Sequence, residues 1–181
     1  MLNNPEKVIE QTNNWIKSVV IDCNFCPFAA KAVMQKSIRY NVNEKANLEN
    51  ALMTLQEEIL FLEANKDFET GFVIFPNDFS DFEDYLDLVF ASEQLMEGLG
   101  LSGEYQLASF HPEYVFEGVS PDDAANYTNR SIYPMLHILR EESLEKALSL
   151  YPNPELIPEH NIAFAQKKGL AYMQALRAAC F

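Results

Sequence analysis

Apolar residues recur at the three- and four-residue spacing of helices in four parts of the chain. These parts are residues 5–22, 48–62, 80–98 and a C-terminal stretch that begins at residue 153 and is interrupted near Gly169. Asn4-Pro5 and Asn153-Pro154 each place a capping side chain before a proline at the first helical position, and Ser80 to Glu83 has the spacing of a capping box. The pattern therefore predicts four helical segments with marked beginnings.

Shorter apolar segments between these helices are typical of strands. They are residues 37–42, 71–75, 104–110 and 135–139. The strand–helix–strand–helix–strand order in the middle of the chain implies crossover connections, which favour parallel strands. We predict an α/β fold in which residues 1–181 form a single compact domain, with a small, largely parallel or mixed sheet of about four strands covered by N-terminal, middle and C-terminal helices. An α+β sandwich with a mixed sheet is the alternative.

The net charge of −14 arises from one part of the chain. Residues 67–129 contain 14 acidic residues and no Lys or Arg, whereas the rest of the chain is balanced, with 13 residues of each sign. A field of negative sign repels phosphate backbones and anionic lipid, so nucleic acid and membrane surfaces are poor candidates as partners. The acidic segment is either a solvated face or a docking surface for a basic protein partner.

The composition is that of a soluble globular protein. Apolar residues make up 48% of the chain, and no apolar run reaches the roughly 18 residues that a membrane span needs. The N-terminus lacks a charged-then-apolar signal pattern, and three cysteines do not make a disulfide framework. We therefore expect a cytoplasmic protein with reduced thiols.

The segment from Phe110 to Glu141 is the most informative part of the sequence. Much of it has no obvious secondary structure, and long connections of this kind in a compact domain are usually binding or active-site loops. It contains His111, where the third predicted strand ends, and His137, which shares one face of the fourth strand with Met135 and Leu139. A histidine at a strand end can act as a general acid or base. His137 is either catalytic or a hydrogen-bonded core residue.

Cys26 is the candidate nucleophile. It precedes Pro27 and a predicted short helix over residues 28–35, so the thiol would lie at the N-cap with Pro27 at the first helical position. Free N–H groups and the helix dipole lower the pKa of a thiol placed there. The alternative is a small buried side chain packed beside neighbouring phenylalanines.

Cys23 and Cys26 also form a C-x-x-C pair, which can indicate redox chemistry or half of a zinc site. The redox motif normally follows a strand, whereas this pair follows a helix. A zinc site needs a second ligand pair, which His111 and His137 could supply.

The segment Asn126-Tyr-Thr-Asn-Arg-Ser131 is the candidate anion site. Arg130 is the first basic residue after the acidic segment, and its planar guanidinium suits a carboxylate or phosphate. The predicted substrate-binding residues are Asn126, Tyr127, Thr128, Asn129, Arg130 and Ser131. The structural alternative is a salt bridge from Arg130 to Asp122 or Asp123.

The commonest nucleotide and hydrolase signatures are absent from the sequence. It has no glycine-rich phosphate loop, no G-x-S-x-G, no H-E-x-x-H and no EF-hand loop. The sequence therefore identifies no cofactor and no dedicated metal motif.

Several motifs together resemble the bacterial family catalogued as domain of unknown function 1415. The motifs are Asn24-Phe-Cys-Pro-Phe-Ala29, Phe110-His-Pro-Glu-Tyr114, Pro121-Asp-Asp123, Asn126 to Ser131 and Tyr133 to Glu141. The resemblance extends from the Trp15 helix to the C-terminal helix. Ile132 stands where a proline is common in the family, and Cys23 stands where a cysteine is unusual. The resemblance implies a shared site and supplies no reaction.

We favour a small-molecule enzyme that acts on a carboxylate- or phosphate-bearing substrate. Cys26 would be the nucleophile or redox thiol, His111 or His137 the proton-transfer partner, and Arg130 with Asn129 the anion clamp. The reason is that groups with different chemical roles cluster on one loop and its flanking strand ends. The alternatives are a non-catalytic module that binds a metabolite or a protein, and a metal-binding protein that uses the cysteine and both histidines.

Overall fold

A four-stranded sheet of order β1-β2-β4-β3 organises the chain. The computed structural model describes residues 4–181. Its strands are β1 (Ile38–Val42), β2 (Thr70–Ile74), β3 (Tyr105–Phe110) and β4 (Met135–Arg140). Each strand end lies within about one residue of its predicted position, and the α/β class expected from the sequence is confirmed.

Helices form the two layers that flank the sheet. They are α1 (Pro5–Trp15), which continues as a π-helix over Ile16–Ile21, α2 (Ala29–Met34), α3 (Leu48–Ala64), α4 (Phe82–Gly98), α5 (Glu141–Leu148), α6 (Ile157–Lys168) and α7 (Leu170–Ala178), with 3-10 turns at Ala124–Thr128 and Pro154–Leu156. Gly169 separates α6 from α7 at a φ of 86°, which glycine adopts at little steric cost, so the predicted interruption is confirmed. Within the part of the chain that the structure describes, no helix is both long enough and apolar enough to cross a membrane.

The start of α4 differs from the predicted one by a single residue. The cap is Asp81, whose carboxylate accepts the N–H groups of Glu83 and Asp84 at 2.9 and 3.2 Å. The expected capping box at Ser80 was therefore wrong, because the aspartate one residue later reaches two free N–H groups. Asn153 makes no capping bond either, since the chain there forms a 3-10 turn before α6.

The sheet is mixed because β4 runs against both of its neighbours. Helix α3 returns the chain so that β1 and β2 pair in parallel, and α4 brings β3 into the same direction. β4 then enters between β2 and β3, with Met135 opposite both Ile74 and Phe110. Of the two expected sheet types, the mixed one is observed, because this insertion separates two strands that would otherwise pair in parallel.

One face of the sheet is closely packed against α3 and α4. Val73, Leu136 and Ile138 of the sheet are fully buried on this side. The helices cover them with Leu55, Ile59, Leu62, Tyr85 and Leu88, of which none is more than 1% exposed. These buried side chains form one hydrophobic core.

The opposite face is covered by segments from distant parts of the chain. Phe72, Ile74 and Met135 point to this side and belong to one core with Trp15 of α1. The remaining contributions come from the loop over residues 111–134 and from α6 and α7, which pack on the 3-10 turn of that loop. All residues of β2 are consequently buried.

Tyr85 ties the end of β3 to the start of β4. Its buried hydroxyl donates to the Met135 carbonyl at 2.8 Å and accepts the Phe110 N–H at 3.0 Å. Tyr85→Phe leaves both backbone groups unpaired in the core, so we expect the free energy of unfolding to fall by about 1–3 kcal/mol in urea denaturation.

Tyr172→Phe is the matched control, because this side chain is exposed on α7. It should change the free energy of unfolding by less than about 0.5 kcal/mol. Equal stability of Tyr85→Phe and the wild type would show that the two hydroxyl bonds contribute nothing to the fold.

Candidate functional site

A cavity of about 400 Å³ lies on the sheet face that α1 covers. Its floor consists of residues from all four strands, and its walls come from α1, the π-helical segment, α2 and α5. Most of the lining is apolar: Trp15, Ile16, Val20, Phe28, Ala29, Ala32, Ile38, Phe72, Ala108, Phe110, Leu139, Leu144, Ala147 and Leu150. Sites for small organic molecules typically enclose about 300–1,000 Å³, so the volume is of ligand size.

Small side chains keep this space open. Thr70 and Ala108 occupy sheet positions on the floor, and Ala29, Ala32 and Ala147 face the space from the two helices. Helix α2 has only six residues, and α5 has no fully buried residue. The two short helices therefore border the cavity without filling it.

His137 is a polar group on the cavity floor. Its ring stacks on that of Phe72, with centroids 4.0 Å apart and planes inclined by 6°. Tyr40 extends this stack on β1, with its centroid 5.9 Å from that of Phe72. On the other side the sheet register places Ala108 opposite His137. Phe110 of β3 contacts the imidazole at a tilt, with ring centroids 6.1 Å apart, and the imidazole lines the space beside the alanine.

A short hydrogen-bond chain determines the tautomer of His137. The hydroxyl oxygen of Thr70 lies 2.5 Å from the carbonyl of Ile138 and 2.7 Å from Nε2 of His137. A hydroxyl has one proton and a carbonyl can only accept, so Thr70 donates to Ile138 and accepts the Nε2 proton. Nδ1 is then an unprotonated acceptor, and no residue in the described range 4–181 donates a hydrogen bond to it.

The imidazole of His137 is uncharged at neutral pH. Burial lowers the pKa of His137 to about 3, because the surroundings disfavour the charged ring. Such a ring is a weak base at neutral pH and a good hydrogen-bond acceptor through Nδ1.

Cys26 lines the same cavity as His137. Helix α2 begins at Ala29 with Phe28 at the cap position, so the expected N-cap placement of Cys26, with Pro27 first in the helix, was wrong. A turn closed by the bond from the Ala29 N–H to the Cys26 carbonyl separates the cysteine from the helix. Burial raises the pKa of the Cys26 thiol, and hydrogen bonds from the N–H groups of Phe28 and Ala29 offset only part of this effect.

The two cysteines of the C-x-x-C pair have different surroundings. Cys23 is buried in the apolar core, whereas Cys26 borders the cavity, and both thiols are free. Within residues 4–181, no group of three or more His, Cys, Asp or Glu side chains is arranged to hold a metal ion. The zinc set of Cys26, His111 and His137 is not assembled.

His111 lies on the α4 side of the sheet and is fully buried. Its ring packs against Phe82 and Tyr85. Nε2 is 2.9 Å from the Phe79 carbonyl, and Nδ1 accepts the N–H of Glu113 at 3.0 Å. Burial lowers the pKa of His111, which keeps the ring neutral with Nε2 as the donor. Nδ1 thus bonds to the backbone at the start of the 111–134 loop, and Nε2 bonds to the backbone that precedes α4.

Arg130 is buried within the same loop and binds backbone carbonyls. Its Nε donates to the Tyr114 carbonyl at 2.9 Å and its Nη2 to the Pro121 carbonyl at 3.0 Å. The guanidinium carbon lies 5.0 Å from the centre of the Tyr127 ring. Among the residues that the structure describes, the only ion pair joins Arg39 and Glu58, so the alternative salt bridge from Arg130 is not formed.

The structure gathers the six residues of the predicted anion cradle, but their polar groups bond to the chain itself. The Asn126 side chain accepts a hydrogen bond from the Phe116 N–H and donates one to the Ser120 carbonyl. The side chains of three others donate to backbone carbonyls: Thr128 to that of Ala125, Asn129 to that of Ser109 and Ser131 to that of Tyr133. Tyr127 interacts with the guanidinium of Arg177 on α7. Five of these residues are buried, and α6 packs over the segment. The geometry favours a structural role for this loop.

The cavity thus brings together Cys26 and His137 from the predicted site and leaves out His111 and Arg130. It adds residues that the sequence did not single out, chiefly Thr70, Lys31 and Lys146. Thr70 directly precedes the second predicted strand, but its bond to His137 depends on a register between strands 67 residues apart. No local pattern in the sequence carries that information.

The fold and this cavity define an α/β protein with a ligand-sized space on one face of a mixed sheet. Residues 7–175 match the model of the family described as Protein of unknown function (DUF1415), so the chain belongs to that family. The resemblance seen in the sequence motifs is confirmed. No curated protein and no solved structure matches the chain.

The low pKa of His137 makes stability depend on pH. An unfolded histidine titrates near pH 6.5 and the folded one near a pKa of about 3. Above about pH 6.5 both states are neutral, but as the pH falls from there towards about 3 only the unfolded state takes up the proton, so stability falls. In urea denaturation, we expect the wild type to lose more unfolding free energy between about pH 7 and pH 5 than His137→Phe, which does not titrate.

His160→Phe is the control for this comparison, because His160 is exposed on α6. Its stability should follow pH in parallel with the wild type. Parallel curves for the wild type and His137→Phe would contradict a buried, neutral His137.

The loop interpretation of Arg130 makes a separate prediction. Arg130→Lys removes the planar fork that holds two carbonyls at once, so we expect unfolding free energy to fall by about 1–3 kcal/mol. Thermal denaturation of the wild type should show no specific shift with phosphate. The anion-site hypothesis would be restored by two results together: Arg130→Lys unfolds with the same free energy as the wild type, and phosphate raises the denaturation temperature of the wild type alone.

Proposed function

We propose that this protein binds a small, mostly apolar organic molecule between the sheet, α2 and α5. The observation that carries the proposal is the cavity of about 400 Å³ with apolar walls and few polar groups. Ligand sites have this character, since apolar walls supply affinity and a few placed polar groups supply orientation.

The packing around the cavity supports this proposal. Protein interiors are close-packed, and on the α3–α4 side of this sheet a cluster of apolar side chains is buried. On the other side, alanines at positions 29, 32, 108 and 147 surround open space that larger apolar residues would fill. A bound molecule would supply the missing contacts.

Chemistry on the bound molecule is a second candidate function, favoured because Cys26 and His137 line the same cavity. It keeps the enzyme hypothesis with His137 as the proton-transfer partner. The sulfur would add to one carbon of a polarised double bond of the ligand as its π bond breaks, and the thiol proton would pass by way of Nδ1 of His137 to the ligand atom that receives the π electrons. Because burial raises the pKa of Cys26, the resting group is the thiol, and the reaction would start from neutral partners.

A cytoplasmic location and a basic protein partner belong to the proposal as well. The free thiols of Cys23, Cys26 and Cys180 suit a reducing compartment. The acidic residues 67–129 favour a partner of opposite charge over nucleic acid.

The binding function can be tested with N-phenyl-1-naphthylamine, a neutral apolar fluorescent probe. Trp15 is the only tryptophan of the chain and lines the cavity, so bound probe should quench its emission by energy transfer. We expect saturable quenching in the wild type. Ala147→Phe should lower the affinity for the probe by about tenfold or more, because the added ring occupies space that the probe needs.

Ala178→Phe is the matched control, since it places the same ring at an exposed position of α7. It should bind the probe as the wild type does. Absent or non-saturable quenching in the folded wild-type protein would rule out the cavity as a binding site.

The state of Cys26 can be measured by alkylation with N-ethylmaleimide and peptide mass spectrometry. The raised pKa predicts slower labelling at pH 7 than for a free thiol, a rate that climbs with pH, and protection by saturating N-phenyl-1-naphthylamine. Fast labelling of Cys26 well below pH 8 would instead indicate an activated thiolate and strengthen the enzyme hypothesis.

A further inference from the structure

We infer that the ligand of this cavity is an amphiphilic anion that carries a hydrogen-bond donor at its far end. A carboxylate or phosphate would lie at the mouth between Lys31 and Lys146, an apolar body would cross the sheet, and a hydroxyl or N–H group would meet Nδ1 of His137. The inference rests on the proposed binding function and specifies the chemical class of the ligand.

The charge at the cavity mouth is opposite to that of the chain. Lys31 of α2 and Lys146 of α5 are both exposed and both line the cavity, one on each helix that borders it. Arg140 also contributes to the lining, and Glu69 is the single acidic residue among the lining residues. The cavity lining therefore has a surplus of two positive charges in a chain of net charge −14. That local surplus attracts an anion and disfavours a cation.

Arg140 contributes positive charge to the lining, but its guanidinium is already hydrogen-bonded to protein oxygens. Its Nη1 donates to the Tyr105 hydroxyl at 2.8 Å and its Nη2 to the carbonyls of Leu62 and Phe68. Within the described residues it forms no ion pair, so its charge is not neutralised by a carboxylate. Direct contact with the anion is assigned to the two lysines.

The middle of the cavity suits an aliphatic or aromatic body. Ile38, Phe72 and Leu139 form the floor, and Leu144 and Ala147 of α5 face them. None of these side chains can hydrogen-bond, so a polar group in this region would lose its water without replacement.

His137, on the cavity floor, favours a ligand that carries a hydrogen-bond donor. The bond to Thr70 holds the proton of His137 on Nε2, and the low pKa keeps a second proton off the ring. The remaining nitrogen, Nδ1, can therefore only accept. A ligand hydroxyl or N–H satisfies it, whereas a second carboxylate at this point would be repelled by the lone pair.

The test is displacement of N-phenyl-1-naphthylamine, read from Trp15 fluorescence, by a matched set of eight-carbon probes. We expect octanoate or octyl phosphate to compete better than 1-octanol, and octylamine to compete worst. The stronger of the two anions identifies the head group. The affinity of 8-hydroxyoctanoate should exceed that of octanoate by about two- to tenfold, the range expected for one added hydrogen bond.

Two variants assign these differences to residues. The double variant Lys31→Gln with Lys146→Gln should lower the affinity for octanoate by about 3- to 20-fold, as expected for the loss of two exposed charges. Its affinity for 1-octanol should stay unchanged. The control is Lys36→Gln with Lys45→Gln, which removes the same charge at positions outside the cavity lining. His137→Phe keeps a ring on Phe72 but removes the acceptor, so it should abolish the advantage of 8-hydroxyoctanoate.

Equal competition by octanoate and octylamine, or an octanoate affinity that the cavity lysines do not affect, would overturn the anion assignment. An advantage of 8-hydroxyoctanoate that persists in His137→Phe would overturn the donor assignment. In both cases direct binding of N-phenyl-1-naphthylamine would still support the proposed function. Failure of that probe to bind the wild type would end both proposals.

Discussion

The burial of β2 on both faces requires a helical layer on each side of a small sheet. The α3–α4 layer meets this requirement with long helices that follow β1 and β2 directly and pack closely through residues such as Leu55 and Leu88. The second layer is assembled from both ends of the chain and the loop over residues 111–134. These pieces cover one part of the sheet well and leave a cavity bordered by α1, the π-helical segment and the short helices α2 and α5.

The residues that look most reactive in the sequence hold this frame together. His111 joins the start of the 111–134 loop to the Phe79 carbonyl before α4, while the side chains of Arg130 and Asn126 bind backbone carbonyls within the loop. The loop leads into β4 and thereby brings His137 beside Phe72 on the cavity floor. The hydrogen bonds within the loop therefore have a role in the cavity as well, because they hold the segment that positions His137 on the cavity floor.

The sequence predicts the local elements well because their signals are local. Helix α3 and all four strands follow from apolar periodicity, and the family follows from motifs that are contiguous in the chain. The position of β4 between β2 and β3 depends on non-local pairing, which periodicity does not report. The predicted cradle residues do come together, but their polar atoms bond to backbone groups of the loop and of β3, and the motif does not specify that direction. The cavity itself is a space bordered by residues of eight elements, so no motif marks it.

The central claim is that the open space over β2 and β4 is a ligand site, and a crystal structure of the protein grown with N-phenyl-1-naphthylamine tests it most directly. We predict ordered density for the probe between His137 and α5, enclosed by the residues that line the cavity. Density for the probe only at an exposed apolar side chain elsewhere, such as Phe90 on α4, with this cavity holding solvent alone, would contradict the account.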